Sequence, residues 1–419
     1  MDTLTKTKDA ILCHLNDPVE VEKLYREDKV AFKHAFNMLY PTLKDDRLAA
    51  FWNGRLNFNR EKGSWRINKD LIFIIFACIF AAIIVKLPTF FSIDKEFFYT
   101  RNVGFTIFPV LTAYFAWKNK LKAKQYVPMV VATLVAVFFI NVFPKAESDT
   151  LVLSCIHLVL FFWSILGFSF SSGSNDPSER RLAYLRYNGD LIVMTTLILI
   201  SGGILTGLTI GLFSLIDLNI EEFYFNNVAI IGLASAPIIG TYLTQSNPEL
   251  VNRVSPVIAK IFSPLVLLML VIYLIAILYS GKDPYKDRDF LLMFNMLLIG
   301  VIAIIFFSVA ESSKNAANCL NLWILFLLSI VTVLVNGLAL SAILFRISEW
   351  GFTPNRTAVL GSNVLILINL LCVIARFYRV LFKKAEVAVI GRMITAYLPI
   401  YVIWTALVTF IFPFIFGFN

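Results

Sequence analysis

Residues 71–91 read LIFIIFACIFAAIIVKLPTFF, an apolar stretch whose only charge, Lys86, lies near its end. A helix packed on a water-facing domain would show a polar face every third or fourth residue, and this stretch has none. Wound as a helix it rises about 31 Å, close to the roughly 30 Å of a hydrocarbon core. The stretch therefore predicts a membrane span.

Ten more apolar runs follow: 102–117, 126–143, 151–170, 191–216, 227–243, 261–279, 290–309, 320–345, 357–375 and 393–416. Runs 102–117 and 227–243 are short enough to be re-entrant or interfacial rather than spanning. The expected fold class is all-α: a polytopic transmembrane helical bundle of about 11 spans over 71–419, with a small helical region over 1–70. Composition agrees. Of 419 residues 58% are apolar or aromatic and 16% charged, and the mean hydropathy is +0.76, an excess that one water-facing core cannot hide. With 39 Phe against 28 acids and 3 His, a soluble enzyme is excluded and most catalytic or metal-binding arrangements go with it.

Residues 1–70 carry 13 Lys/Arg and 11 Asp/Glu and open on no apolar run, so no cleavable signal is expected and the segment reads as cytoplasmic. Asp17-Pro18-Val19-Glu20 has the form of a helix start, with Asp17 as cap and Glu20 at the capping-box position, and the helix is expected to reach about Tyr40. A second amphipathic stretch runs from Asp46 to Phe58. These helices read either as a cap or as a surface for a cytoplasmic protein partner. Across the eleven runs, placing the N-terminus inside gives cytoplasmic loops 15 Lys/Arg against 9 on the other face, which predicts N-terminus in and C-terminus out. Loop 280–289, with three basic residues outward, fits this orientation least well.

Inside the runs, Gly203, Gly207 and Gly211 recur every fourth residue, as do Gly232, Ala236 and Gly240 beside Pro237. That spacing predicts two flat strips where helix backbones approach closely, as packing surfaces or as a moving gate. Asn295, Asn336, Asn363 and Asn369 fall in the eighth to tenth runs, and since an unbonded amide is costly in hydrocarbon, they are expected to face the bundle interior. His157 is expected to serve as a helix-to-helix hydrogen-bond partner. Cys13, Cys78, Cys155, Cys319 and Cys372 stand singly and suggest neither a disulfide framework nor zinc.

Between the ninth and tenth runs lies Arg346-Ile-Ser-Glu349-Trp350-Gly351-Phe-Thr353-Pro354-Asn355-Arg356. Gly351 suits a helix stop at positive φ, and Thr353-Pro354 suits the cap and first turn of the next helix. Arg346, Glu349 and Arg356 are expected to form an ion cluster under Trp350, either clamping a helical hairpin or binding an anion or lipid headgroup on the outer side. Residues 349–356, followed by an apolar helix ending at Arg376, resemble the motif of a bacterial multi-pass membrane family catalogued as domain-of-unknown-function family 4153. Trp350 stands where that family commonly has Tyr. The resemblance covers roughly 70–419 and implies a bacterial inner-membrane location, with no activity, cofactor or catalytic residue attached.

No GxxxxGK[ST], HExxH, GxGxxG or GxSxG pattern occurs, so no cofactor is expected. The net charge of +9 is accounted for by loops that face the membrane surface, and no nucleic-acid partner is expected. The bilayer is the expected partner. Three functional readings follow: first a permease for a small molecule or lipid, which the helix count, glycine strips and intramembrane Asn favour, then a non-catalytic scaffold or sensor acting through residues 1–70, and third an enzyme on a lipid-linked substrate at 346–356.

Overall fold

The computed structural model describes residues 2–43, 46–57, 69–143, 148–173, 176–214, 218–246, 262–272, 274–275, 285, 288–312 and 319–418. Most of loop 280–289 and part of run 261–279 lie outside them. All regular structure among the described residues is helical, and the chain divides into two compact units, Met1–Asn68 and Lys69–Asn419.

The first unit holds α1 (Asp2–His14), α2 (Pro18–Glu27), α3 (Lys29–Leu39) and α4 (Arg47–Asn57). Asp17 caps α2 by accepting from the Val19 and Glu20 amides, but its own amide donates to His14 O at 2.8 Å, so Glu20 does not close the reciprocal box. The single helix expected from 18 to 40 is broken at Asp28. Its carboxylate accepts from Ala31 N at 2.9 Å, and its backbone is extended at φ −147°, because a short acid can cap a new helix as readily as it continues an old one. Among the described residues nine form the core, including Ile11, Val21, Phe32, Phe36 and Trp52. Tyr25, Phe32 and Trp52 meet with centroids 5.3–5.7 Å apart, and the Arg55 guanidinium lies 4.6 Å from the Trp52 ring while pairing with Glu22 at 2.7 Å. Hydrogen bonds from Arg26 and Arg55 hold the Glu22 carboxyl below its ordinary range.

The second unit is the bundle: α5 (Lys69–Phe90), α6 (Lys95–Lys118), α7 (Ala123–Val142), α8 (Asp149–Ser171), α9 (Pro177–Ser214), α10 (Glu221–Ser246), α11 (Phe262–Ile272), α12 (Arg288–Ser312), α13 (Cys319–Trp350), α14 (Pro354–Lys383) and α15 (Ala388–Ile415). Among the described residues nine of these are long and apolar enough to cross a membrane. Each of the eleven runs contributes described residues to one of these helices, and the chain is a multi-pass membrane protein. Run 227–243 sits in the full-length α10. Run 102–117 belongs to α6, which has 24 residues but falls outside the nine because its first turns are polar. Only 262–272 of run 261–279 forms a described helix of its own.

Helices α5, α6, α8, α9 and α10 share one apolar cluster, and α9 with α11 to α15 share a larger one. The first half of α9 belongs to both. Tyr184, Leu185 and Tyr187 are buried, whereas the apolar window of its second half has none of its residues buried.

That asymmetry overturns the packing expected of the glycine strips. Among the described residues, a Cβ placed on Gly203, Gly207, Gly211 or Gly232 would meet nothing within 4 Å. Ala236 is buried, and only Gly240 marks a close approach, where a Cβ would come within 2.8 Å of Thr195 Oγ1. The small residues that admit neighbours lie elsewhere: Gly167 under Tyr184, Gly189 under Phe307, Gly391 under Leu182 and Gly361 under Trp404. Four-residue spacing reports that one helix face is flat, and a flat face can turn to lipid as well as to protein.

Candidate functional site

The hairpin at 346–356 is built from the end of α13 and the start of α14. At 32 residues α13 rises about 48 Å, more than a hydrocarbon core needs, so its last turns leave that core or the helix tilts. Gly351 ends the helix at φ +73°, and Thr353 Oγ1 accepts from Arg356 N at 3.3 Å with Pro354 in the first turn. Arg356 Nη1 then donates to the carbonyls of Trp350 and Gly351, both at 2.8 Å, satisfying oxygens that the helix end leaves open. The guanidinium carbons of Arg346 and Arg356 lie 5.3 and 5.8 Å from the Trp350 ring centre.

The expected ion cluster is not formed among the described residues: Glu349 is exposed, while Arg346 lies over the Trp350 ring and Arg356 donates to the carbonyls of Trp350 and Gly351. At i, i+3 from Arg346 it had the spacing for a bond, but the face of Trp350 takes Arg346 and backbone carbonyls take Arg356. Asn355 is half-buried in the first turn of α14. The site is a clamp made of cations, a ring and carbonyl oxygens, and it holds no carboxylate placed for acid–base chemistry. Arg356→Ala should lower the melting temperature of the detergent-purified protein through a loss of about 1–2 kcal/mol, whereas Glu349→Ala should change stability by less than about 0.5 kcal/mol. Equal effects of the two substitutions would contradict the clamp.

The four amides join α12, α13, α14 and α15. Asn363 Nδ2 donates to Asn295 Oδ1 at 2.9 Å, and Asn336 Nδ2 donates to the Asn363 carbonyl at 3.1 Å. Asn369 Nδ2 reaches Tyr401 Oη at 3.0 Å. Asn336, Asn363 and Asn369 are buried, and Asn295 is half-buried. Their donors tie helices together, while Oδ1 of Asn336 and of Asn369 is buried with no partner among the described residues. Around them Leu325, Leu328, Val335, Ala339, Val373 and Phe377 are fully buried, so the interior shared by α12 to α14 is packed with apolar side chains.

Sequence reasoning missed the most buried cation among the described residues. Arg101 is 4% exposed in α6, and its Nη1 donates to the carbonyls of Ile140 and Phe143 at 2.7 and 3.0 Å, capping α7. Next to it Asn102 and Asn141 exchange side-chain bonds of 3.0 and 2.9 Å. The signal lay in Asp94, whose carboxylate accepts from Phe97 N at 2.7 Å; a helix starting there places Arg101 nearly two turns inside. Arg186 does the same work for α12, donating to Ala310 O at 2.6 Å and pairing with Glu311 at 3.6 Å. Arg101, Arg186 and Arg356 thus each satisfy carbonyls at the C-terminal end of another helix. His157 Nδ1 contacts Leu153 O of its own helix at 2.9 Å, where a bond to another helix was expected. Among the described residues no group of three or more His, Cys, Asp and Glu could hold a metal ion.

No family model, curated protein or solved structure matches the chain. The likeness to family 4153 consequently rests on residues 349–356 alone.

Proposed function

We propose that the chain is a non-catalytic scaffold or sensor of a bacterial cytoplasmic membrane, with its N-terminus in the cytoplasm, its C-terminus outside, and residues 1–70 engaging a cytoplasmic protein partner. The observation that carries this reading is the separate core of residues 1–68, which leaves Val19 and Phe51 74% and 61% exposed on a unit that already has its own interior. The excess of basic residues in loops on one face supports the orientation, and the resemblance of 349–356 to family 4153 supports the bacterial membrane.

A permease for a small molecule or lipid is the second reading, favoured by the unpartnered oxygens of Asn336 and Asn369, which a passing solute or water could use. The packed apolar surroundings of these amides weigh against it. Enzymatic action on a lipid-linked substrate has less support, because Arg356 is engaged by backbone carbonyls and Glu349 stands apart. In a strain lacking the chain, the full-length protein should restore the wild-type growth and metabolite profile. A chain starting at residue 63 should insert at the same level and fail to restore it. Full restoration by the shortened chain would remove the scaffold reading.

A further inference from the structure

Helices α5 and α6 run antiparallel and leave between them a groove of about 640 Å³. Its floor is small-chained, with Ala77 and Ala113, and its walls carry Phe73, Phe76 and Phe80. Phe76 and Phe80 are more than half exposed, so the walls stand away from the bundle. Pro109 in α6 lines the same groove and cannot donate its backbone amide, a cause of local bending that helps keep the helices apart.

The groove has a direction. Along α5 it extends from Lys69 to Phe80 and along α6 from Trp117 back to Pro109, so it covers about 12–16 Å of helix rise, the depth of one leaflet of a roughly 30 Å hydrocarbon core. Its polar end is marked by Lys69 and by Trp117, the residue types that sit at headgroup level. Lys120 is held at this end, because its backbone N–H donates to Trp117 O at 3.1 Å. The nearby acid, Asp70, pairs with Lys118 at 3.9 Å, and among the described residues no ion pair engages Lys69 or Lys120, so the mouth carries net positive charge there. An apolar furrow one leaflet deep and positive at its mouth matches a lipid with a negative head.

We propose that this groove holds one acyl chain of an anionic glycerophospholipid, with the phosphate at Lys69 and Lys120. Binding depends on both parts: the furrow takes the chain, and the two lysines select charge, favouring an anionic over a zwitterionic lipid by about tenfold or more.

Native mass spectrometry of the detergent-purified full chain tests this, with phosphatidylglycerol, phosphatidylcholine and free glycerol phosphate offered at equal concentration. One retained phosphatidylglycerol is expected, with phosphatidylcholine held about tenfold more weakly and glycerol phosphate not held. Ala113→Phe, at an exposed floor position, should remove the retained lipid without lowering the melting temperature. Lys69→Gln with Lys120→Gln should keep a lipid but abolish the preference. The proposal is overturned by equal retention of the two lipids in the wild type, by binding of glycerol phosphate alone, or by retention unchanged in Ala113→Phe. A dimer that dissociates in that variant would overturn it too, since a second copy would then be the occupant.

Discussion

Trp52→Ala is expected to unfold the N-terminal unit while leaving the bundle intact. Trp52 is 3% exposed at the centre of the small core, against Tyr25 and Phe32 and under the Arg55 guanidinium. Truncating a buried Trp to Ala costs about 3–5 kcal/mol, through lost transfer energy and the cavity left behind. A unit of this size has a total stability of about the same magnitude. Hydrogen exchange of the full-length protein should show amides within residues 2–57 losing protection, while those of α5 to α15 keep theirs. Retained protection in residues 2–57 would mean that the unit does not depend on this core.

The second large effect separates two kinds of glycine. Gly361→Leu should destabilise the bundle by about 2–3 kcal/mol or prevent its assembly. Trp404 lies across Gly361, where a Cβ would overlap its ring, and the ring has little freedom to move: its Nε1 donates to Ser362 Oγ at 2.9 Å and its edge meets Phe412 at 5.8 Å. Gly207→Leu, in contrast, should stay within about 0.5 kcal/mol, because no described residue lies within 4 Å of the position. Melting curves of the two variants in the same detergent compare them directly. A Gly207→Leu loss as large as that of Gly361→Leu would show a helix seated against the 203–211 strip.

These two glycines show where the sequence was readable and where it was not. A run of twenty apolar residues has one physical solution in a bilayer, so the helices could be placed from hydropathy alone. Which face of a helix meets protein depends on the neighbours, and Gly207 with its regular spacing looked more significant than the isolated Gly361. The amides could be read because buried polarity must be bonded; their partners, Tyr401 for Asn369 and Asn295 for Asn363, follow from tertiary register. The hairpin turn was legible in Gly351 and Thr353, whose local chemistry fixes their conformation. Its ion cluster was not, because spacing along α13 could not show that carbonyl oxygens and the Trp350 ring would engage the arginines. Arg101 was hidden by a boundary drawn from hydropathy, which ended the run at the first charge although the helix continues for two polar turns to its cap at Asp94. Asp28 shows the same limit in the N-terminal unit, where a side chain chose a cap over continuity.

Apolar packing along α12, α13 and α14 should keep water from Asn336 and Asn369, and thiol access to these positions measures whether it does. In a chain whose native cysteines are replaced, Asn336→Cys and Asn369→Cys should react with neither a small permeant methanethiosulfonate nor a charged one in sealed vesicles, while Glu349→Cys, at the exposed end of α13, reacts readily. Rapid modification of position 336 or 369 by the charged reagent would reveal a water-filled path between these helices and contradict the sealed bundle.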